Sequence, residues 1–150
     1  MAVLQISRKV DYALRALVYL TSQDGDRGCT LGDIATRIAV SPQFLAKIIE
    51  QLAHRGLVRS RRGPNGGYVI GRPLTEVSMY DVMDAVEGPI ALNKCLVGSD
   101  ECSQLPNCGM TSVWKEAQDR LVDVLANTTL ADIQRRRRPA RKRQSRPPSS

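Results

Sequence analysis

TLGDIATRIAVSPQFLAKIIEQLAHRGLVRSRRGPNGGYVI, residues 30–70, is the stretch that decides the fold. Thr30 with Asp33 three residues on has the form of a capping box, so a short helix opens there and runs to about Ile38. Ala39 and Val40 lead into Ser41-Pro42, a favoured N-cap followed by a residue suited to the first helical position. The helix that starts at Pro42 carries Leu45, Ile48, Ile49 and Leu52 on one side and stops at Gly56. Two short helices joined by a turn of a few residues form a helix-turn-helix unit. Leu57 to Arg61 then reads as a strand, Gly63-Pro64-Asn65-Gly66-Gly67 as a tight turn and Tyr68-Val69-Ile70 as the returning strand. The expected fold is mainly α with a small β wing.

Upstream, Ser7 caps an amphipathic helix over 8–22 whose apolar residues Val10, Ala13, Leu14, Leu17 and Val18 follow helical spacing. Downstream, Ser78 and Asp81 repeat the capping pattern ahead of a helix that reaches about Glu87 and is broken by Gly88-Pro89. A loop with three cysteines follows. From Thr111 to about Ala126 a long helix carries Val113, Trp114, Ala117, Leu121, Val124 and Leu125 as an apolar stripe that no remaining segment covers, and a second copy of the chain could. Thr129–Ile133 adds a last turn. The expected organisation is a winged helix-turn-helix DNA-binding domain over 1–88, a cysteine-rich cluster-binding loop over 89–110, a dimerisation helix over 111–133 and a disordered basic tail over 134–150.

The chain has 150 residues, 42% of them hydrophobic and only 4% aromatic, which suits one ordinary domain with an aliphatic core and excludes a multidomain enzyme. No window approaches a membrane span and no signal-peptide core stands at the N-terminus, so a cytoplasmic location without membrane attachment is expected. The net charge is +7, but its distribution matters more: residues 134–150 carry +8 and residues 1–133 carry −1. Within that body, residues 37–72 hold Arg37, Lys47, Arg55, Arg59, Arg61, Arg62 and Arg72 against Glu50 alone, while residues 73–133 stand at −7. One basic segment on an otherwise acidic body is the footprint of a face presented to nucleic acid.

In a winged helix-turn-helix the second helix lies in the major groove with its N-terminal residues at base edges and its amides toward phosphate. That places Ser41 and Pro42 at the groove, with Gln43 suited to an adenine edge, Phe44 to a thymine methyl and Lys47 to guanine or phosphate. Arg59, Arg61, Arg62 and Asn65 sit on or beside the wing, where Arg suits phosphate and the minor groove. The alternative for any one Arg is an ordinary solvated charge.

Cys95, Cys102 and Cys108 share one loop rich in Gly, Pro, Asn and Ser. Soft thiolates gathered this way suit zinc or an iron-sulfur cluster, and spacing alone does not separate the two, although a standard zinc finger needs closer ligand pairs. Cys29 lies far off and reads as a free or structural thiol. With one His and no nucleophile-base pairing, nothing marks the chain as an enzyme.

Tyr12-Ala13-Leu14-Arg15, the run Arg62-Gly63-Pro64-Asn65-Gly66-Gly67-Tyr68, the three-cysteine loop and Trp114 early in a long helix together resemble the Rrf family of bacterial winged-helix regulators. The likeness covers about residues 4–133. It implies a homodimer crossing through the long helix, a 2Fe-2S or 4Fe-4S cluster on Cys95, Cys102 and Cys108, with 4Fe-4S favoured, and cluster-controlled transcription at a double-stranded DNA operator. The family's cluster-assembly regulator carries a His three residues after its last cysteine, where this chain has Thr111. The nitric-oxide-sensing branch includes members with an acidic ligand from the partner's first helix, and Asp11 occupies the matching position. The other reading of Asp11 is an ion pair with Arg15 one turn on.

The functional expectation is a dimeric DNA-binding regulator, a repressor, whose cluster senses nitric oxide, redox or iron-sulfur status. The alternative is a DNA-binding regulator without a cluster, controlled by a partner protein or by thiol oxidation, and a zinc-structured regulator is a third form.

Overall fold

The computed structural model describes residues 1, 4–23, 27–98 and 108–137. Among the described residues six α-helices follow in order, α1 (Arg8–Thr21), α2 (Leu31–Ile38), α3 (Pro42–His54), α4 (Met79–Glu87), α5 (Gly109–Ala126) and α6 (Leu130–Arg136). Between α3 and α4 stands a hairpin of β1 (Val58–Arg61) and β2 (Gly67–Ile70). The strands are antiparallel, with Val58 opposite Ile70 and Arg61 opposite Gly67. No helix among the described residues is long and apolar enough to cross a membrane.

Local chemistry explains where the helices begin. Ser7, Thr30, Ser41, Ser78 and Thr129 are N-caps whose hydroxyls accept an amide hydrogen bond from the first turn, and those at Thr30, Ser78 and Thr129 are complete capping boxes with Asp33, Asp81 and Asp132. Each such cap is worth about 1 kcal/mol. The core is aliphatic as expected: Leu17, Ile34, Leu45, Ile48, Ile49, Leu52, Val82 and Leu130 are almost wholly buried. It collects the inner faces of α1–α4, closed below by α6.

Several boundaries differ from expectation. The first strand begins at Val58, because the Leu57 amide still donates to the Leu52 carbonyl and so closes α3. The long helix begins at Gly109, with Cys108 in the N-cap position, so residues 109 and 110 belong to the helix and not to the cysteine loop. The last helix continues to Arg136, beyond the expected start of the tail at 134. Its Thr129–Asp132 box nucleates it, and Gln134 Nε2 donates to the Thr21 carbonyl at 3.3 Å, joining it to the end of α1. The tail from 138 onward and Cys102 lie outside the described residues.

A contact invisible to periodicity fixes the wing. The segment before α2 runs along the outer edge of β2: the Cys29 amide donates to the Tyr68 carbonyl at 3.0 Å, the Tyr68 amide donates back at 2.7 Å, and the Gly28 amide donates to the Asn65 carbonyl at 3.2 Å. The approach requires glycine. A Cβ on Gly67, whose φ is +138°, would stand 2.5 Å from the Cys29 carbonyl oxygen. The wing is therefore clamped by its third, one-residue strand to the start of the helix-turn-helix.

Candidate nucleic-acid interface and thiol site

Helix α3 turns its apolar side inward and its polar side out. Leu45, Ile48, Ile49 and Leu52 are buried, whereas Gln43, Lys47, Glu50 and His54, spaced at helical intervals, are exposed. Ser41 Oγ accepts from the Phe44 amide at 3.3 Å and Pro42 lacks an N–H, so the Gln43 amide is left at the helix tip, where an anion is favoured. An α-helix of this width fits a major groove about 12 Å wide. Phe44 stands at the same tip and also makes a contact within the fold. It is 38% exposed, and its ring meets the Tyr12 ring edge-on with centroids 5.9 Å apart. Phe44 thereby joins α1 to the tip of α3.

The wing carries its charges outward. Along β1 side chains alternate, so Arg59 and Arg61 share a face with their cross-strand neighbours Val69 and Gly67. Arg62 and Asn65 are exposed in the turn. Arg72 of the basic segment, just past β2, and Arg27, a residue not singled out from the sequence in the segment that clamps the wing, line one cavity of about 520 Å³ with Arg59 and Arg61. Among the described residues no carboxylate lines that cavity. Only the pairing of residue 29 with β2 brings Arg27 here, and a 39-residue separation in sequence hid it.

The thiols divide into two settings. Cys29 is buried, and the Tyr19 hydroxyl donates to its sulfur. Burial raises the Cys29 pKa, and the nearby Asp33 carboxylate adds to the rise. Cys108 is the opposite. Its pKa is lowered, first by a hydrogen bond from the Thr111 side chain and then by the Met110 and Thr111 amides at the start of α5. Thus Thr111, which stands where the family's cluster-assembly regulator has a His, is the first cause of the lowered Cys108 pKa. Cys95 is half-buried in a 3₁₀ turn, Lys94–Leu96, that packs against α5. Among the described residues no three His, Cys, Asp or Glu side chains converge. Asp11 stands on α1, where its carboxylate makes the local ion pair with Arg15 at 3.0 Å.

Helix α5 has no buried residue. Met110, Val113 and Val124 are more than 60% exposed and Trp114 41%. A stripe of this size on a helix 18 residues long is too apolar for a free surface.

Known proteins show the same arrangement. A protein of Mycobacterium tuberculosis named as an HTH-type transcriptional regulator, Rv1287, is 36% identical over 130 residues, covering 87% of this chain and 81% of the relative. Among solved structures, CymR, the global cysteine regulator of B. subtilis, superposes with a TM-score of 0.73 at 28% identity, covering 89% of this chain and 98% of that one. IscR of T. potens gives a TM-score of 0.72 at 28% identity, with 88% and 87% covered. Residues 6–136 match the Rrf2 family, described as an iron-dependent transcriptional regulator, and the chain belongs to that family of winged-helix, DNA-binding transcriptional regulators.

Proposed function

We propose that the chain is a homodimeric repressor that binds a DNA operator through α3 and the wing and holds an iron-sulfur cluster, 4Fe-4S rather than 2Fe-2S, on Cys95, Cys102 and Cys108. Cys108 carries this reading: it stands in the N-cap position of α5, where its pKa is lowered, first by Thr111, toward the thiolate, the form that binds iron. The donor set fits, since soft thiolates are the ligands such clusters take. When bound, the cluster supplies a centre that reacts with nitric oxide or responds to redox or iron-sulfur status.

The chain's own residues provide the coupling. Asp11 of one protomer is the candidate fourth ligand to the other's cluster, and the next residue, Tyr12, touches Phe44 at the tip of α3. A displacement of α1 thus reaches the groove-facing helix through one aromatic contact. The uncovered stripe of α5 is the surface through which two protomers would pair.

Anaerobic purification tests the cluster. A brown protein with equal iron and sulfide, bleached by Cys95→Ala, Cys102→Ala or Cys108→Ala and retained by Cys29→Ala, is expected. A colourless protein that carries no iron, or one bleached by Cys29→Ala alone, would refute it. Operator binding is tested by Gln43→Ala, which should cost about 1–3 kcal/mol at one base position.

A second reading is favoured by the likeness to a cysteine regulator, including a solved oxidised form from Staphylococcus aureus at 29% identity and a TM-score of 0.71. In it the activated Cys108 thiolate is itself oxidised, and regulation proceeds without a cluster. Reversible loss of one or more thiols on peroxide treatment of iron-free protein, with a change in DNA affinity, distinguishes it.

A further inference from the structure

One groove lies apart from the exposed side of α3, from the wing and from Cys95 and Cys108. It lies on the far side of α1 from the hairpin, about 720 Å³ in volume, between the second half of α1, the end of α2, the start of α4 and α6. Val18, Ile38, Met79 and Ile133 form its apolar walls, and Arg15, Arg37 and Arg137 stand around it, with no carboxylate in the lining among the described residues. Arg15 is already held by Asp11, but Arg37 and Arg137 make no ion pair among the described residues. An apolar cleft of several hundred Å³ with a few convergent polar groups is the usual form of a small-molecule site. Two guanidiniums without anionic partners beside it suit a carboxylate, which a guanidinium fork holds with two hydrogen bonds.

We infer that this groove binds an amphipathic carboxylate, a molecule with one anionic head for Arg37 and Arg137 and an apolar body for the wall of α1 and α6. Other occupants match it less well. Residues 138–150 continue from Arg137 and carry five basic and no acidic side chains, so the rim repels them. A second copy would offer α5, but Glu116 and Asp119 there are already paired with Arg120 and Lys115 at 2.7 Å, which leaves Asp123 as its one carboxylate without an ion pair among the described residues.

The site would also be connected to the helix-turn-helix. Ala39, the only non-glycine described residue with positive φ, at +56°, belongs to the groove wall and forms the turn between α2 and α3. A ligand packed against Ile38 and Ala39 therefore stabilises one geometry of that turn, by as much as its affinities for the alternative geometries differ.

The test uses the full chain without DNA, so its outcome is independent of operator and cluster. In calorimetric titration decanoate should bind saturably at one per chain. Octanoate should bind roughly tenfold or more weakly, since each methylene buried is worth about fourfold. Decanol, which lacks the charge, should bind at least tenfold more weakly than decanoate. Arg37 is exposed, so Arg37→Gln should leave the thermal unfolding curve in place while weakening decanoate at least tenfold and decanol not at all. Hydrogen exchange at residues 39–41 should slow when decanoate is present. Equal affinity for decanoate and decanol, full binding by Arg37→Gln, or binding without protection at 39–41 would overturn the inference. So would loss of dimer, seen by sedimentation, in Arg37→Gln with decanoate binding unchanged, which would make the groove a face between two copies.

Discussion

Replacing Gly67 by Ala tests whether the wing is held from outside itself. Two costs arise. The first is conformational: φ of +138° is a region that side chains with a Cβ seldom adopt, at about 1–3 kcal/mol. The second is steric, because the new Cβ would lie 2.5 Å from the Cys29 carbonyl oxygen, so residues 28–29 must retreat from β2. That retreat breaks the two hydrogen bonds between Cys29 and Tyr68, of 3.0 and 2.7 Å, at about 1 kcal/mol each. The total is about 3–5 kcal/mol. Gly63→Ala is the internal control, since its φ of +107° is also unfavourable but a Cβ there meets nothing within 4 Å. The difference between the two variants, about 2 kcal/mol, isolates the clamp. Urea unfolding followed by circular dichroism measures both stabilities, and hydrogen exchange at the Tyr68 amide reports the wing locally. Equal destabilisation by the two substitutions, with the Tyr68 amide equally protected, would refute the idea that the segment before α2 restrains the wing.

The remaining predictions concern the thiols and the tail. Burial raises the Cys29 pKa, so its contribution to stability is complete below the ordinary thiol pKa and is lost as pH rises, because the unfolded chain then ionises first; the urea midpoint of wild type should fall between about pH 7.5 and 10 more steeply than that of Cys29→Ala, and parallel slopes would contradict this. In reduced, metal-free protein Thr111→Val should raise the pH midpoint for alkylation of Cys108, read from the Cys108 peptide by mass spectrometry, since Thr111 is the largest cause of its lowered pKa; an unmoved midpoint would remove Thr111 from the account. Deleting residues 138–150, which carry five basic side chains, should weaken binding to all DNA and reduce the salt slope by up to about 0.9 for each phosphate the tail neutralises, leaving the ratio of specific to non-specific affinity unchanged. A collapse of that ratio would show that the tail reads sequence.

Helix starts are legible in the sequence because serine and threonine caps are local chemistry: Thr30 with Asp33, Ser41 with Pro42, and Ser78 with Asp81 each announce a helix within four residues. The apolar spacing of α3 likewise identifies which side it buries and therefore which side faces out. What escapes is non-local. Cys29 pairs with Tyr68 through single-residue backbone bonds that leave no periodic trace, and the same crossing carries Arg27 to the wing. Phe44 looks like a free ring in the sequence because nothing in the order of residues indicates that Tyr12 lies against it. Thr111 shows there only as a missing histidine, whereas its hydroxyl acts on Cys108 through the turn geometry of the helix start. The extension of α6 to Arg136 depends on a hydrogen bond to the end of α1, again a pairing distant in sequence.

Helix α5 buries none of its side chains within one protomer, and an isolated helix of this length is marginal in water. Among the described residues its order in a single chain rests on limited contacts with α4 and with the Lys94–Leu96 turn and on the Gln118 side chain, whose oxygen accepts from the Leu92 amide at 3.0 Å. In dilute solution the ends of such a helix fray, and the helix start then no longer lowers the Cys108 pKa. If two copies pair through α5 as proposed, the acidity of this thiol becomes a function of how many copies are present, rising as the helix is covered and falling as it is exposed. Measured on the same protein at nanomolar and at micromolar concentration, the reactivity of Cys108 would differ without any change in sequence, pH or oxidant.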